Sequence, residues 1–148
     1  MEEQSEDEPH EKAWVHGLLG RFYDEQYLFK KAEEHLLVSL TMIEEVLGEE
    51  HPDLIVYLDA LTRHYRLQQR YAEAMPWAER ALAVAEKFYG TQHPYLATAL
   101  NSFGELLFHS GQPDVAGPVY LAAYEIQLTS QAAAVRTRKV PMADKGRL

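Results

Sequence analysis

The sequence predicts an all-α protein, a right-handed superhelical stack of three antiparallel helical hairpins. Three observations predict it. The phrase Leu47-Gly48-Glu49-Glu50-His51-Pro52-Asp53-Leu54 returns as Tyr89-Gly90-Thr91-Gln92-His93-Pro94-Tyr95-Leu96, with the histidines 42 residues apart. The same period relates Ala32, Ala74 and Ala116, then Leu19, Leu61 and Phe103, then Tyr23, Tyr65 and Leu107. Apolar residues inside each period recur at three- and four-residue steps, and no alternating apolar–polar stretch suggests a strand. A fixed period of roughly 20–50 residues marks a stack of units that bury their faces against one another.

The elements follow in order. Residues 1–11 carry six acids and no Lys or Arg, and are expected to form a disordered acidic arm. Three repeats are expected at about 12–51, 52–93 and 94–130, each a helical hairpin. In the second repeat Leu54, Tyr57, Leu58, Leu61 and Tyr65 make one apolar stripe, and Ala74, Trp77, Ala78, Ala81, Leu82 and Ala85 make another. Gly48 and Gly90 sit where a left-handed cap ends a helix. Pro52, Pro94, Pro76 and Pro118 are each expected in the first turn of a helix, where a missing N–H is tolerated. Gly111-Gln112-Pro113-Asp114 reads as the turn between the last two helices. Gly20, Thr62 and Gly104 on first helices, with Ala32, Ala74 and Ala116 on second helices, allow close helix approach. Residues 131–148 form a basic tail, with Ser130 to Lys139 expected as a short closing helix that turns Ala132, Ala133, Ala134 and Val135 inward, and with disorder expected after about residue 140.

Composition narrows the function. The 148 residues carry a net charge of −9 and no cysteine, so neither a disulfide framework nor thiolate chemistry is available. The body, residues 12–130, has nine Lys/Arg against sixteen Asp/Glu, which disfavours a nucleic-acid backbone as partner. No apolar run approaches the roughly 18 residues of a membrane span. The acidic start is the reverse of a signal peptide, and the expected location is the cytoplasm. Metal, cofactor and catalytic signatures are absent: no His-Glu-x-x-His, no Gly-rich phosphate loop and no Gly-x-Ser-x-Gly occur. The expectation is therefore no enzyme and no cofactor. His51 and His93 read as helix-start residues, and His64 is expected on an exposed face.

The small-residue and aromatic pattern resembles the tetratricopeptide repeat. Its 42-residue period, with Leu-Gly-x-x-His-Pro and Tyr-Gly-x-x-His-Pro connections, is most similar to the kinesin-light-chain type. The resemblance covers roughly residues 12–128 and implies a protein-interaction adaptor.

In such a stack the first helix of each pair lines the concave groove. Counting from the core stripe places Trp14, Gly17, Arg21 and Asp24 there, then Val56, Asp59, Arg63 and Arg66, then Asn101, Glu105, Phe108 and His109. Arg21, Arg63 and Arg66 gather cations in an otherwise acidic chain, and guanidinium forks suit an acidic or carboxylate-ended peptide. Asp24, Asp59 and Glu105 are the acids placed to neutralise them. Trp14 and Phe108 offer apolar contact at either end. The resemblance further implies that Asn101 holds a ligand backbone. The alternative is a structural subunit assembling, with a copy of itself or a larger partner, through the exposed face of the last hairpin.

Overall fold

The computed structural model describes residues 8–145, with side chains described through residue 138. It contains six helices: α1 (Glu8–Glu25), α2 (Phe29–Leu47), α3 (Leu54–Leu67), α4 (Tyr71–Tyr89), α5 (Pro94–His109) and α6 (Pro113–Lys145). No strand occurs among the described residues. The chain divides into two compact units, Met1–Val84 and Ala85–Leu148, and each is described by itself.

In the first unit α1 packs antiparallel on α2, and both meet α3. Ala13, Ala32, Leu36, Leu40 and Ile43 from the first hairpin are buried, as are Leu54, Leu58, Leu61 and Tyr65 from α3. Gly20 sets the closest approach. A Cβ built there would lie 2.5 Å from Leu36 Cγ and 3.2 Å from the backbone oxygen of Ala32. The small residues at Gly20 and Ala32 thus set the approach between the two helices of one hairpin. In the second unit α5 packs on α6, burying Leu106, Leu107, Ala116, Ala123 and Ile126, and Gly104 faces the Tyr120 ring.

The hairpin turns repeat in atomic detail. Tyr27, Gln69 and Gly111, successive residues at the 42-residue period, all have positive φ: 60°, 59° and 86°. Next to each, the N–H of Leu28, Arg70 or Gln112 donates at 2.9 Å to the carbonyl of Tyr23, Tyr65 or Leu107. Only the third turn uses glycine, so the first two place side chains where L-residues are strained. Gly48 and Gly90, with φ of 84° and 77°, end α2 and α4 as expected.

Several expectations need correction. Glu8 to Glu11 already belong to α1, because an acidic first turn suits the partial positive charge of a helix N-terminus. The rest of the acidic arm, residues 1–7, lies outside the described residues. Pro94 opens α5, but Pro52 lies in the turn before α3. Pro76 and Pro118 are the sixth residues of α4 and α6, inside the second turn, where each removes one ladder hydrogen bond. No separate closing helix forms. α6 continues unbroken through the alanine run, which lacks a breaker, and Ala132, Ala133, Ala134 and Val135 are exposed rather than inward. For the tail beyond about residue 140, α6 is described through Lys145, and residues 146–148 lie outside the described residues.

Candidate functional site

Four of the six sequence-predicted site residues lie in the first unit. Trp14 and Arg21 are seven residues apart on α1, two helical turns, so they share a face. Both are exposed, Trp14 by 48%. Arg63 and Arg66 lie one turn apart on α3 and are half-buried. Arg21 and Arg63 make no ion pair with any described residue, so the neutralising acids expected from the sequence do not engage them. Asp24 binds a histidine instead, and Glu105 lies 4.0 Å from His109. Gly17 does not front a groove as expected: a Cβ there would meet the Tyr57 ring at 3.7 Å and Ser39 Oγ at 3.9 Å. The remaining two residues are on α5 in the second unit, Asn101 half-buried and Phe108 exposed.

Arg63 opens on a cleft of about 250 Å³ lined by Asp24, Glu25, Tyr27, Phe29, Arg63 and Leu67. The α1–α2 turn supplies one wall and the last turns of α3 the other. Two buried polar atoms of these lining residues, Asp24 Oδ2 and Arg63 Nη1, have no hydrogen-bond partner.

A polar cluster that sequence reasoning missed holds Asp24 in place. His64, expected on an exposed face, is 0% exposed, and Asp24 only 2%. His64 Nδ1 lies 2.6 Å from Asp24 Oδ1, and Gln68 Nε2 lies 3.0 Å from His64 Nε2. A proton on Nδ1 satisfies both contacts, with Nε2 accepting from the amide. Glu33 Oε2 is 3.9 Å from the same Nε2, and Glu33 Oε1 accepts from the Tyr65 hydroxyl at 2.7 Å. Burial and the Glu33 carboxylate push the Tyr65 hydroxyl up to about 12. Arg70 stacks over the Tyr65 ring at 4.7 Å, lies 3.5 Å from Glu33 and binds Glu73. That hydrogen bond holds the Glu73 carboxyl below its ordinary range. The signal for His64 was present in the stripe itself: Leu61, His64, Tyr65 and Gln68 follow helical spacing, so His64 falls on the buried face.

Asp59, at the position 42 residues before Asn101, makes no hydrogen bond or ion pair with a described residue. Burial alone pushes its carboxyl up to about 6. His51 lies in the turn before α3, whereas His93 caps the start of α5, as expected. Nδ1 of each accepts the backbone N–H two residues on, from Asp53 and Tyr95, both at 3.1 Å. Among the described residues no group of three His, Cys, Asp or Glu is placed to hold a metal ion. No helix among them is long and apolar enough to cross a membrane.

Helical hairpins at a fixed period, with repeated turns and a repeated histidine-to-backbone hydrogen bond, define a helical-repeat protein. The chain belongs to the tetratricopeptide repeat family, whose model matches residues 11–87 and 63–129. It is similar to the human protein named tetratricopeptide repeat protein 19, mitochondrial, at 32% identity over 120 residues. That match covers 76% of this chain and 31% of the human protein, so the chain spans about a third of that relative. Solved structures show the same fold. BtubC (BKLC) from P. vanneervenii has a TM-score of 0.75 at 21% identity, covering 82% of this chain and 48% of that one. A Podosopora anserina protein with nearly identical TPR-like repeats of kinesin-light-chain type has a TM-score of 0.73 at 21% identity, covering 86% and 60%. The all-α helical hairpins of this chain thus share the fold of repeats of kinesin-light-chain type. Proteins of this family mediate protein–protein interaction.

Proposed function

We propose that this chain is an adaptor that binds an extended peptide, acidic or carboxylate-ended, along the first helices of its repeats. The observation that carries the reading is the state of its arginines. Arg21 is exposed and Arg63 half-buried, and neither engages an acid among the described residues, in a chain of net charge −9. Unpaired guanidinium groups are available for bidentate carboxylate binding. Trp14 and Phe108 are exposed aromatic side chains suited to apolar anchors, and Asn101 is the proposed backbone contact. The reading includes no catalytic step: His64 Nε2, where a base would need its substrate proton, already meets Gln68. The cytoplasm is the proposed compartment, tested by imaging a tagged chain against a mitochondrial stain. The function itself is tested with a panel of fluorescein-labelled peptides, acidic or neutral, with free or amidated C-termini. Saturable anisotropy for the acidic or free-carboxylate members supports it, and equal response across the panel overturns it.

One observation favours a second reading, assembly through the last hairpin. Tyr120, Leu121, Tyr124 and Leu128 on α6 are 36–57% exposed. Repeat arrays leave such a face when a further unit or partner covers it. Light scattering over a concentration series distinguishes the two: a constant monomer mass supports the adaptor, a rising mass the subunit.

A further inference from the structure

We propose that the chain assembles head to tail with copies of itself, α1 of one copy seating on the α5–α6 hairpin of the next as α3 seats on α1 and α2. The inference rests on the second reading above, assembly through the last hairpin, and deepens it: the partner is a second copy, and its contact surface is α1. The first unit already contains the contact that would be repeated. There α3 packs on both helices of the first hairpin. His64 Nδ1 lies 2.6 Å from Asp24 Oδ1 of α1, and the Tyr57 ring packs at Gly17 of α1. Tyr65, near the end of α3, donates to Glu33, near the start of α2, so α2 and α3 run antiparallel.

The 42-residue period carries both halves of that contact onto exposed faces. One period before Tyr57 and His64 stand Val15 and Phe22, with Leu18 between them on the same face of α1. His64 is 0% exposed but Phe22 is 54%, and Val15 and Leu18 are exposed beside it. Two periods after Asp24 stands Phe108 on α5, 56% exposed where Asp24 is 2%. Leu40 shares the α3-facing side of α2 with Glu33, seven residues before it, and is buried. Two periods after Leu40 stands Tyr124 on α6, exposed between Leu121 and Leu128, which are exposed too. Seating one face on the other brings Phe22 to Phe108, where His64 and Asp24 meet inside the chain. Two aromatic rings there gain from pairing and leave no charge to compensate.

Charge favours the same polarity. An α1 that runs antiparallel to α6 brings its first turn, with Glu8 and Glu11, toward the C-terminal part of α6, with Arg136 and Arg138. By sequence, residues 1–11 carry six acids and no Lys or Arg, and residues 131–148 carry five Lys/Arg against Asp144 alone. Opposite potentials of this kind fix register between partners. An α6-on-α6 contact would leave the stripe on α1 uncovered. Each copy uses each face once, so the contact is heterologous and continues past a dimer. Phe108 then serves the contact between copies, and the groove reading stands on its arginines.

The test is multi-angle light scattering of the full chain over a concentration series, with one variant for each face. The parent's mean mass is expected to rise with concentration beyond that of a dimer. Phe22→Glu blocks α1 and Tyr124→Glu blocks α6, both at exposed positions, and each variant alone is expected to stay monomeric. An equal mixture of the two is expected to stop at a dimer, because one keeps its α6 face and the other its α1 face. Circular dichroism checks that each variant keeps its helices, and Val15→Glu or Leu121→Glu replaces one that does not. Self-association of Phe22→Glu but not of Tyr124→Glu, a parent that stops at a dimer, or a mixture that stays monomeric overturns the head-to-tail contact. Each of those leaves assembly through the last hairpin standing if the parent's mass rises. A parent that stays monomeric throughout overturns both.

Discussion

Two glycines one turn apart on α1 should respond to alanine with opposite signs. At Gly20 the added methyl would lie 2.5 Å and 2.6 Å from Leu36 Cγ and Cδ2, and 3.2 Å from the Ala32 carbonyl oxygen. Leu36 is 1% exposed and has nowhere to move, and the carbonyl belongs to the helix backbone. The helices must part, and overpacking of this kind costs about 1–3 kcal/mol. Alanine returns about 1 kcal/mol through its better helix propensity. Gly20→Ala should therefore lose up to about 2 kcal/mol, several degrees in Tm for a chain of this size. At Gly17 the nearest atom to the new methyl is 3.7 Å away, an ordinary contact, so only the propensity gain remains. Gly17→Ala should gain up to about 1 kcal/mol. Urea denaturation followed by far-ultraviolet circular dichroism gives both values. The reasoning fails if Gly20→Ala is as stable as the parent, or if the two variants shift in the same direction by similar amounts.

Three further perturbations follow from the first unit. Asp59 has a folded value of about 6 against an ordinary 3.8, so the folded chain binds more protons between those values. Stability should therefore fall as pH rises from about 4 to 6, and Asp59→Asn should gain about 1–3 kcal/mol at pH 7 but nothing below about pH 4. Denaturation across that pH range checks it, and a pH-independent gain would be contrary. His64→Leu strands the buried Asp24 carboxylate and should cost about 3–5 kcal/mol. Adding Asp24→Leu should recover much of that loss, and a double-mutant cycle without coupling would show that the pair is not a unit. Gln69 holds a φ of 59° at the α3–α4 turn, so Gln69→Gly should be neutral to about 1 kcal/mol stabilising, whereas Gly111→Gln at the corresponding turn should be destabilising. Thermal melts of both variants decide the sign.

The period, the helix pairing and the glycine caps were legible because each is a local backbone requirement written in residue type. The left-handed turns at Tyr27 and Gln69 were harder to see, since neither residue advertises positive φ. They become visible only when Gly111 is carried back by one and two periods. His64 was misplaced because a polar residue between Arg63 and Tyr65 looks solvated, although its spacing from Leu61 puts it on the buried stripe. Its partner Asp24 lies in another helix, and no local pattern pairs residues 40 positions apart. Pro76 and Pro118 misled because proline suggests a helix start, while the turn bonds at Arg70 and Gln112 begin each helix earlier. The arginine face was readable as a cluster of charge. That Arg21 and Arg63 engage no acid among the described residues could come only from the structure.

Arg21, Arg63 and Arg66 are proposed to bind an acidic partner segment. The most direct measurement is titration calorimetry of the best acidic peptide from the panel against the parent chain and Arg63→Ala, at two salt concentrations. Arg63 is half-buried, and its loss should weaken binding by about 2–5 kcal/mol, as expected when one partner of a buried charge pair is removed. The parent's affinity should also fall as salt rises. An affinity unchanged by both Arg63→Ala and salt would contradict the account and leave assembly through α6 as the function to pursue.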